Sequence, residues 1–226
     1  MINVYYNTKE LVNKLCNEIN NILKTKDTVV LAVPGGRSVR AIYDEFSLHE
    51  DLPWEKIHIF MVDERLVSID DDQSNFKLVM EQFGNKLIEQ KKISKQNFHP
   101  FIYDESNDNF GVEQYENELK RCGGMFDIVI LGVGEDGHVA GLFPNYTIID
   151  ISDYFIKFDK SPKLPKERMS ASKNLIEKSS IGVVLFVGEG KRNAYDSFLN
   201  PEKSIAECPA KILNNIKLGY ILTDLE

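Results

Sequence analysis

Short unbroken apolar runs alternate along the chain with longer stretches of helical periodicity. Residues 28–33, 57–62, 128–131, 181–187 and 218–223 are rich in Val, Ile, Leu and Phe and stop abruptly at Gly, Pro or charged residues, the pattern of strands buried on both faces. Residues 4–6 and 154–158 are shorter strand candidates. Between the runs, Leu11, Val12, Leu15, Ile19, Ile22 and Leu23 fall on one helical face behind Thr8 as the expected cap. Val39, Ile42, Tyr43 and Phe46 form a second such face, and Phe76, Val79, Met80, Phe83 and Leu87 a third. Further helices are expected near 111–121, over 169–178 and over 191–199. Strands alternating with helices predict an α/β fold, a doubly wound, mostly parallel twisted sheet with helices on both faces. With no internal repeat, low-complexity tract or linker, residues 1–226 are expected to form a single domain.

In a parallel sheet the C-terminal strand ends share one edge, and four of the predicted strands end there in polar or glycine-rich turns. These are Pro34-Gly35-Gly36-Arg37-Ser38, Asp63-Glu64-Arg65, the turn from Gly132 through Gly134, Glu135, Asp136 and Gly137 to His138, and Gly188-Glu189-Gly190-Lys191. Four such tips on one edge make a site.

Composition narrows what that site binds. A hydrophobic fraction of 42% and a charged fraction of 27% suit a folded chain with a substantial core. The net charge of −8 disfavours nonspecific binding to nucleic acid or to an anionic membrane, so an anionic ligand needs a local basic pocket. Cys16, Cys122 and Cys208 are odd in number and widely spaced, which suggests neither a disulfide framework nor a zinc knuckle and fits a reducing cytoplasm. The N-terminal residues lack a basic start and an apolar core, and no run reaches the ~18 apolar residues of a membrane span, so neither export nor insertion is expected.

The turn at 132–138 offers the sharpest chemistry. Its glycines match GxGxxG, but His138 follows the third glycine at once, Pro144 interrupts soon after, and no second strand ends in a carboxylate at the ribose-binding distance. A nicotinamide cofactor is therefore not expected, nor is a plain structural turn, because Asp136 and His138 place two titratable groups in it. Gly35, Gly36, Arg37 and Ser38 opening a helix suit a phosphate through backbone N–H groups, the helix terminus and side-chain donors, without being a Walker loop. Arg65 either pairs with a carboxylate or holds a substrate oxygen. Lys191 lies at a helix start, where a cation is unfavourable unless an anion compensates it. His58 lies within a strand, His49 and His99 in loop-like polar contexts, and no His/Cys/Asp/Glu pair has the spacing of a metal motif, so no metal is expected. The chain also lacks a GxSxG elbow and a cysteine beside a base, the usual signs of an acyl-enzyme nucleophile.

Taken in order, Gly-Gly-Arg-Ser at 35–38, Asp-Glu-Arg at 63–65 followed by Ser74-Asn75, Leu-Gly-x-Gly-x-Asp-Gly-His-x-Ala-x-Leu-Phe-Pro at 131–144, Pro-x-x-Arg-Met at 165–169 and Gly-Glu-Gly-Lys at 188–191 closely resemble the 6-phosphogluconolactonase branch of the glucosamine-6-phosphate isomerase family. The resemblance runs through most of the chain. It implies hydrolysis of 6-phospho-D-glucono-1,5-lactone to 6-phospho-D-gluconate in the oxidative pentose phosphate pathway, with a small-molecule substrate, no cofactor, no nucleic-acid or membrane partner, and a monomer. It implies His138 as general base, Asp136 ahead of Glu135 as its support, and substrate contacts from Gly35, Gly36, Arg37, Ser38, Asp63, Arg65, Gly134, Arg168 and Lys191. Lys163 and Lys178 are expected to be bystanders against which Arg168 and Lys191 are compared.

The deaminase branch shares Asp-Gly-His but typically continues His-Ile-Ala-Phe-Asn-Glu-Pro, using that Glu in opening the sugar ring. Phe143 stands here instead, and Val62-Asp63-Glu64-Arg65 replaces its Met-Asp-Glu-Tyr. That branch, or a non-catalytic sugar-phosphate binding module, is the alternative. Two departures from the lactonase pattern, Gly141 for a common Ser and Ser170-Ala171-Ser172 for a Thr-Leu-Thr run, leave the hydroxyls of those segments without an assigned role.

Overall fold

A computed structural model describes residues 1–145 and 152–225. In chain order the elements are β1 (Ile2–Tyr5), α1 (Thr8–Ile22), β2 (Val29–Val33), α2 (Arg40–Leu48), β3 (Ile57–Met61), β4 (Asp63–Arg65), α3 (Asn75–Val79), α4 (Asn85–Glu89), β5 (Phe98–His99), α5 (Val112–Arg121), β6 (Ile128–Gly132), β7 (Phe155–Phe158), β8 (Arg168–Ala171), α6 (Lys173–Glu177), β9 (Ile181–Phe186), α7 (Arg192–Leu199) and β10 (Leu218–Thr223). Seven strands form one sheet in the order β1-β10-β9-β6-β2-β3-β5, and every pairing in it is parallel.

The pleat sends alternate residues of each strand to opposite faces, and two apolar clusters result. Val29, Leu31 and Val33 of β2 pack with Leu11, Leu15, Ile42, Phe46 and Phe83 on the face covered by α1 to α4. Val30 and Ala32 pack with Leu119, Leu175, Ile176 and Phe198 on the face covered by α5 to α7. The runs read as continuous apolar stretches because both faces are covered.

The chain leaves β2 toward β3 and β5 on one side, and β6 toward β9 and β10 on the other. The loops after β2 and β6, adjacent strands, thus diverge across opposite halves of the sheet. A crevice opens between them, the place where open α/β sheets bind ligands.

Several local expectations are corrected. Asn7, not Thr8, caps α1 by accepting from the Glu10 N–H at 3.2 Å. Residues 169–178 are not one helix: Arg168–Ala171 is a strand, and α6 starts only after Ser172, whose hydroxyl accepts from the Leu175 N–H at 3.0 Å. Asp63–Arg65 is likewise more than a strand tip. It pairs antiparallel with β8, which pairs antiparallel with β7, so a three-stranded sheet stands over the cleft side of the main one. Local periodicity misses this because β4 and β8 find their partners about a hundred residues apart. His99 lies in the short edge strand β5, buried and stacked on Phe60 with ring centroids 4.2 Å apart, rather than in a polar loop.

Candidate active site

The turn after β6 closes on itself. Gly134 N–H donates to His138 O at 2.8 Å and Gly137 N–H to Gly134 O at 3.0 Å, with Gly137 at φ +86°. A side chain at Gly134 would collide with the His138 ring, so this glycine is what allows the histidine to fold back over its own turn. His138 Nδ1 is hydrogen-bonded to Asp136 Oδ1. Its ring packs against the buried Phe143 ring at 4.7 Å between centroids. Burial works to raise the Asp136 carboxyl, but the hydrogen bond and charge of His138, with Lys163, hold it below the usual carboxylate range.

The cleft measures about 830 Å³, and each of the expected contact residues Gly35, Gly36, Arg37, Ser38, Asp63, Arg65, Gly134, Arg168 and Lys191 lines it together with His138. Asp136 sits behind the histidine and does not line the cleft. Glu135 does line it and faces Lys191 rather than His138. Gly36 adopts φ +104°, and the N–H groups of Gly36, Arg37 and Ser38 have no partner among the described residues. Donors of this kind beside an arginine fit an anion.

Asn75 was not among the residues expected in the site. It lines the cleft and donates from Nδ2 to Asp63 O at 2.9 Å and to Asp63 Oδ2 at 3.3 Å. Its amide occupies the space that a side chain at Gly35 would fill, which couples the two loops and demands glycine there. Burial pushes the Asp63 carboxyl up, while Arg65 and Arg168 pull the other way. Glu64 is buried too, but it accepts from the N–H groups of Arg65, Asn75 and Phe76 at 2.7–2.8 Å and so anchors the start of α3. Its role is structural.

The cations are arranged unequally. Arg65 donates from Nη1 to Gln73 O, and its buried Nε has no partner among the described residues. Arg168 is buried, and its guanidinium donates to Pro165 O at 2.9 Å and Leu164 O at 3.1 Å, bracing the loop that carries Lys163. Lys163, expected to be a bystander, instead lines the cleft with Nζ 3.4 Å from His138 Nδ1 and 3.7 Å from Asp136 Oδ1. Its loop carries no regular periodicity; the Arg168 clamp, the Ser161 N–H donating to Lys166 O at 3.1 Å and the Lys163 N–H donating to Ser161 Oγ at 3.2 Å hold it over the histidine. Lys178, the other comparison lysine, pairs with Asp153 away from the cleft. Burial pushes the Lys191 amine down.

The two segments of doubtful hydroxyls have structural explanations. Gly141 N–H donates to Ser170 Oγ at 2.9 Å, and a Cβ at position 141 would lie 2.7 Å from Ser170 Cβ. Ser170 therefore replaces locally what a side chain at 141 has no room to provide, and Ser172 caps α6.

A family model described as glucosamine-6-phosphate isomerases/6-phosphogluconolactonase matches residues 7–220. The 6-phosphogluconolactonase of Borreliella burgdorferi is 34% identical over 91% of this chain and 87% of its own length. A 6-phosphogluconolactonase structure from Thermotoga maritima superposes with a TM-score of 0.83 at 26% identity, covering 99% of this chain and 98% of that one. A monomeric glucosamine-6-phosphate deaminase shares the fold at TM-score 0.77 and 20% identity over 98% of this chain and 96% of its own, so backbone shape alone does not separate the two chemistries.

Proposed function

The chain belongs to the family of glucosamine-6-phosphate isomerases and 6-phosphogluconolactonases, and we propose that its cleft hydrolyses 6-phospho-D-glucono-1,5-lactone to 6-phospho-D-gluconate, a carboxylic ester hydrolysis of the pentose phosphate pathway. The observation that carries this reading is His138, held by Asp136 at one ring nitrogen and bordered by Phe143 instead of a second carboxylate, in a cleft lined with cations.

Asp136 accepts from Nδ1–H, which selects the tautomer whose Nε2 keeps its lone pair. Nε2 takes a proton from water as the oxygen attacks C1 of the lactone, and the imidazolium that forms is stabilised by Asp136. The tetrahedral oxyanion then collapses with breakage of the C1–O5 bond, and the ring oxygen takes up the proton. A δ-lactone is an activated ester, so a base, an oxyanion stabiliser and a phosphate site suffice.

Lys163 lines the cleft beside the Nδ1 edge of the base and is assigned to the lactone end, where negative charge develops. The Gly36–Ser38 amides, Arg37 and Lys191 take the phosphate at the other end, and Arg65 Nε is available to a substrate oxygen. Asp63 balances Arg65 and Arg168, and Gly134 makes room for the base. Every residue given a role here belongs to one chain, in keeping with action as a monomer, and the unpaired cysteines fit a cytoplasmic setting.

The test is acid release from freshly prepared 6-phosphogluconolactone with the spontaneous background subtracted, beside ammonia release from glucosamine 6-phosphate. The wild type is expected to accelerate the first and to be inactive in the second. His138→Gln is expected to lose about 10²- to 10⁴-fold in kcat. Wild-type turnover in that variant removes the base assignment, and ammonia release moves the protein to the deaminase branch.

A further inference from the structure

Outside the cleft, three side chains that no sequence motif connects converge at the β5 edge of the sheet: His58 on β3, His99 on β5, and Cys122 immediately after α5. His58 Nδ1 lies 2.9 Å from His99 Nε2, and one ligand atom from each of His58, His99 and Cys122 lies within 4.8 Å of the other two. Around a zinc ion, bonds of roughly 2.0–2.1 Å to nitrogen and 2.3 Å to sulfur place tetrahedral ligand atoms about 3.3–3.6 Å apart. The nitrogens therefore need to part slightly and the sulfur to close by at most about an ångström, within reach of a small side-chain adjustment at the helix end.

The surroundings resemble those of a metal-binding histidine. His99 Nδ1 lies 3.1 Å from Glu118 Oε1, so the carboxylate accepts its N–H and leaves Nε2 as a lone pair facing His58. A carboxylate on the far nitrogen is the usual way a ligating imidazole is oriented. The His99 ring is buried and fixed by its stack on Phe60, whereas His58 and Cys122 are half-buried and give an ion and a fourth, water ligand a way in.

We propose that His58 Nδ1, His99 Nε2 and Cys122 Sγ form a site for zinc or another divalent transition ion of similar softness, with Glu118 as a positioning residue. Two imidazoles and a thiolate select this class over magnesium or calcium, which take oxygen ligands. Binding breaks the His58–His99 hydrogen bond: the Nδ1 proton of His58 is lost to water while Nε2 takes one up, and Cys122 gives its thiol proton to solvent, a net release of one proton per ion. The ion ties the two-residue edge strand β5 to its neighbour β3 and to the end of α5. None of the three ligands lines the catalytic cleft, so the site is separate from hydrolysis.

The test titrates metal-stripped protein with Co²⁺ and then Zn²⁺. The wild type is expected to take up about one equivalent of Co²⁺ with a thiolate-to-cobalt charge-transfer absorption that Zn²⁺ removes. Cys122→Ser is expected to lose that absorption while keeping lactone hydrolysis at the wild-type rate, and His58→Gln to weaken it. In unmodified protein, Zn²⁺ is expected to slow the labelling of Cys122 by a thiol reagent about tenfold or more, Cys16 and Cys208 being buried. An ion bound at His138 produces neither thiol signal. No charge-transfer band, a band undiminished in Cys122→Ser, or labelling unchanged by Zn²⁺ overturns the proposal.

Discussion

His138 owes its orientation to three neighbours: Asp136 at Nδ1, Phe143 against the ring, and Gly134, whose missing side chain makes room for the imidazole and the Asp136 carboxylate. The same dependence on neighbours separates the lysines. Lys163 and Lys178 are alike in the sequence, yet the first stands 3.4 Å from the base and the second pairs with an exposed aspartate. Lys163→Ala is expected to lower kcat/KM by about 10- to 100-fold, corresponding to the ~1.5–3 kcal/mol contributed by a hydrogen bond to a charged group. Lys178→Ala leaves it unchanged. Steady-state kinetics on the two variants checks this, and equal losses remove Lys163 from the site.

At the scale of elements, the second sheet decides which loops reach the cleft. β4 brings Arg65 and β8 brings Arg168, and their antiparallel pairing sets these residues side by side in register. The contact of Gly141 with Ser170 then fastens the turn that follows His138 to β8. Gly141→Ala introduces a Cβ 2.9 Å from the Phe158 ring as well as 2.7 Å from Ser170 Cβ, and both neighbours are buried. Overpacking of this kind costs about 1–3 kcal/mol. Denaturant unfolding is expected to show a loss in that range, accompanied by reduced kcat because the histidine turn shifts with it. Unchanged stability means that the two segments separate more readily than the packing indicates.

For the whole molecule, stability and function occupy opposite ends of the same strands. At the N-terminal end of β6, buried Asp127 accepts from the Val30 N–H at 2.9 Å and from Lys26 Nζ at 2.6 Å, closing the diverging halves where no substrate binds. Asp127→Ala leaves that buried N–H unpaired and is expected to lower stability by about 1–3 kcal/mol with kcat/KM unchanged. Thermal unfolding and kinetics on one preparation test the separation. The central strands, the helices against them and the turn carrying Asp136 and His138 were legible in the sequence because they rest on short-range physics. A strand covered on both faces is continuously apolar, a helix repeats every 3.6 residues, and a tight turn needs glycine. The β4–β8–β7 sheet, Asn75 beneath Gly35, Lys163 over the histidine and the His58–His99–Cys122 cluster were decided by tertiary structure alone. Each joins residues tens of positions apart, and no local periodicity carries the identity of a distant partner.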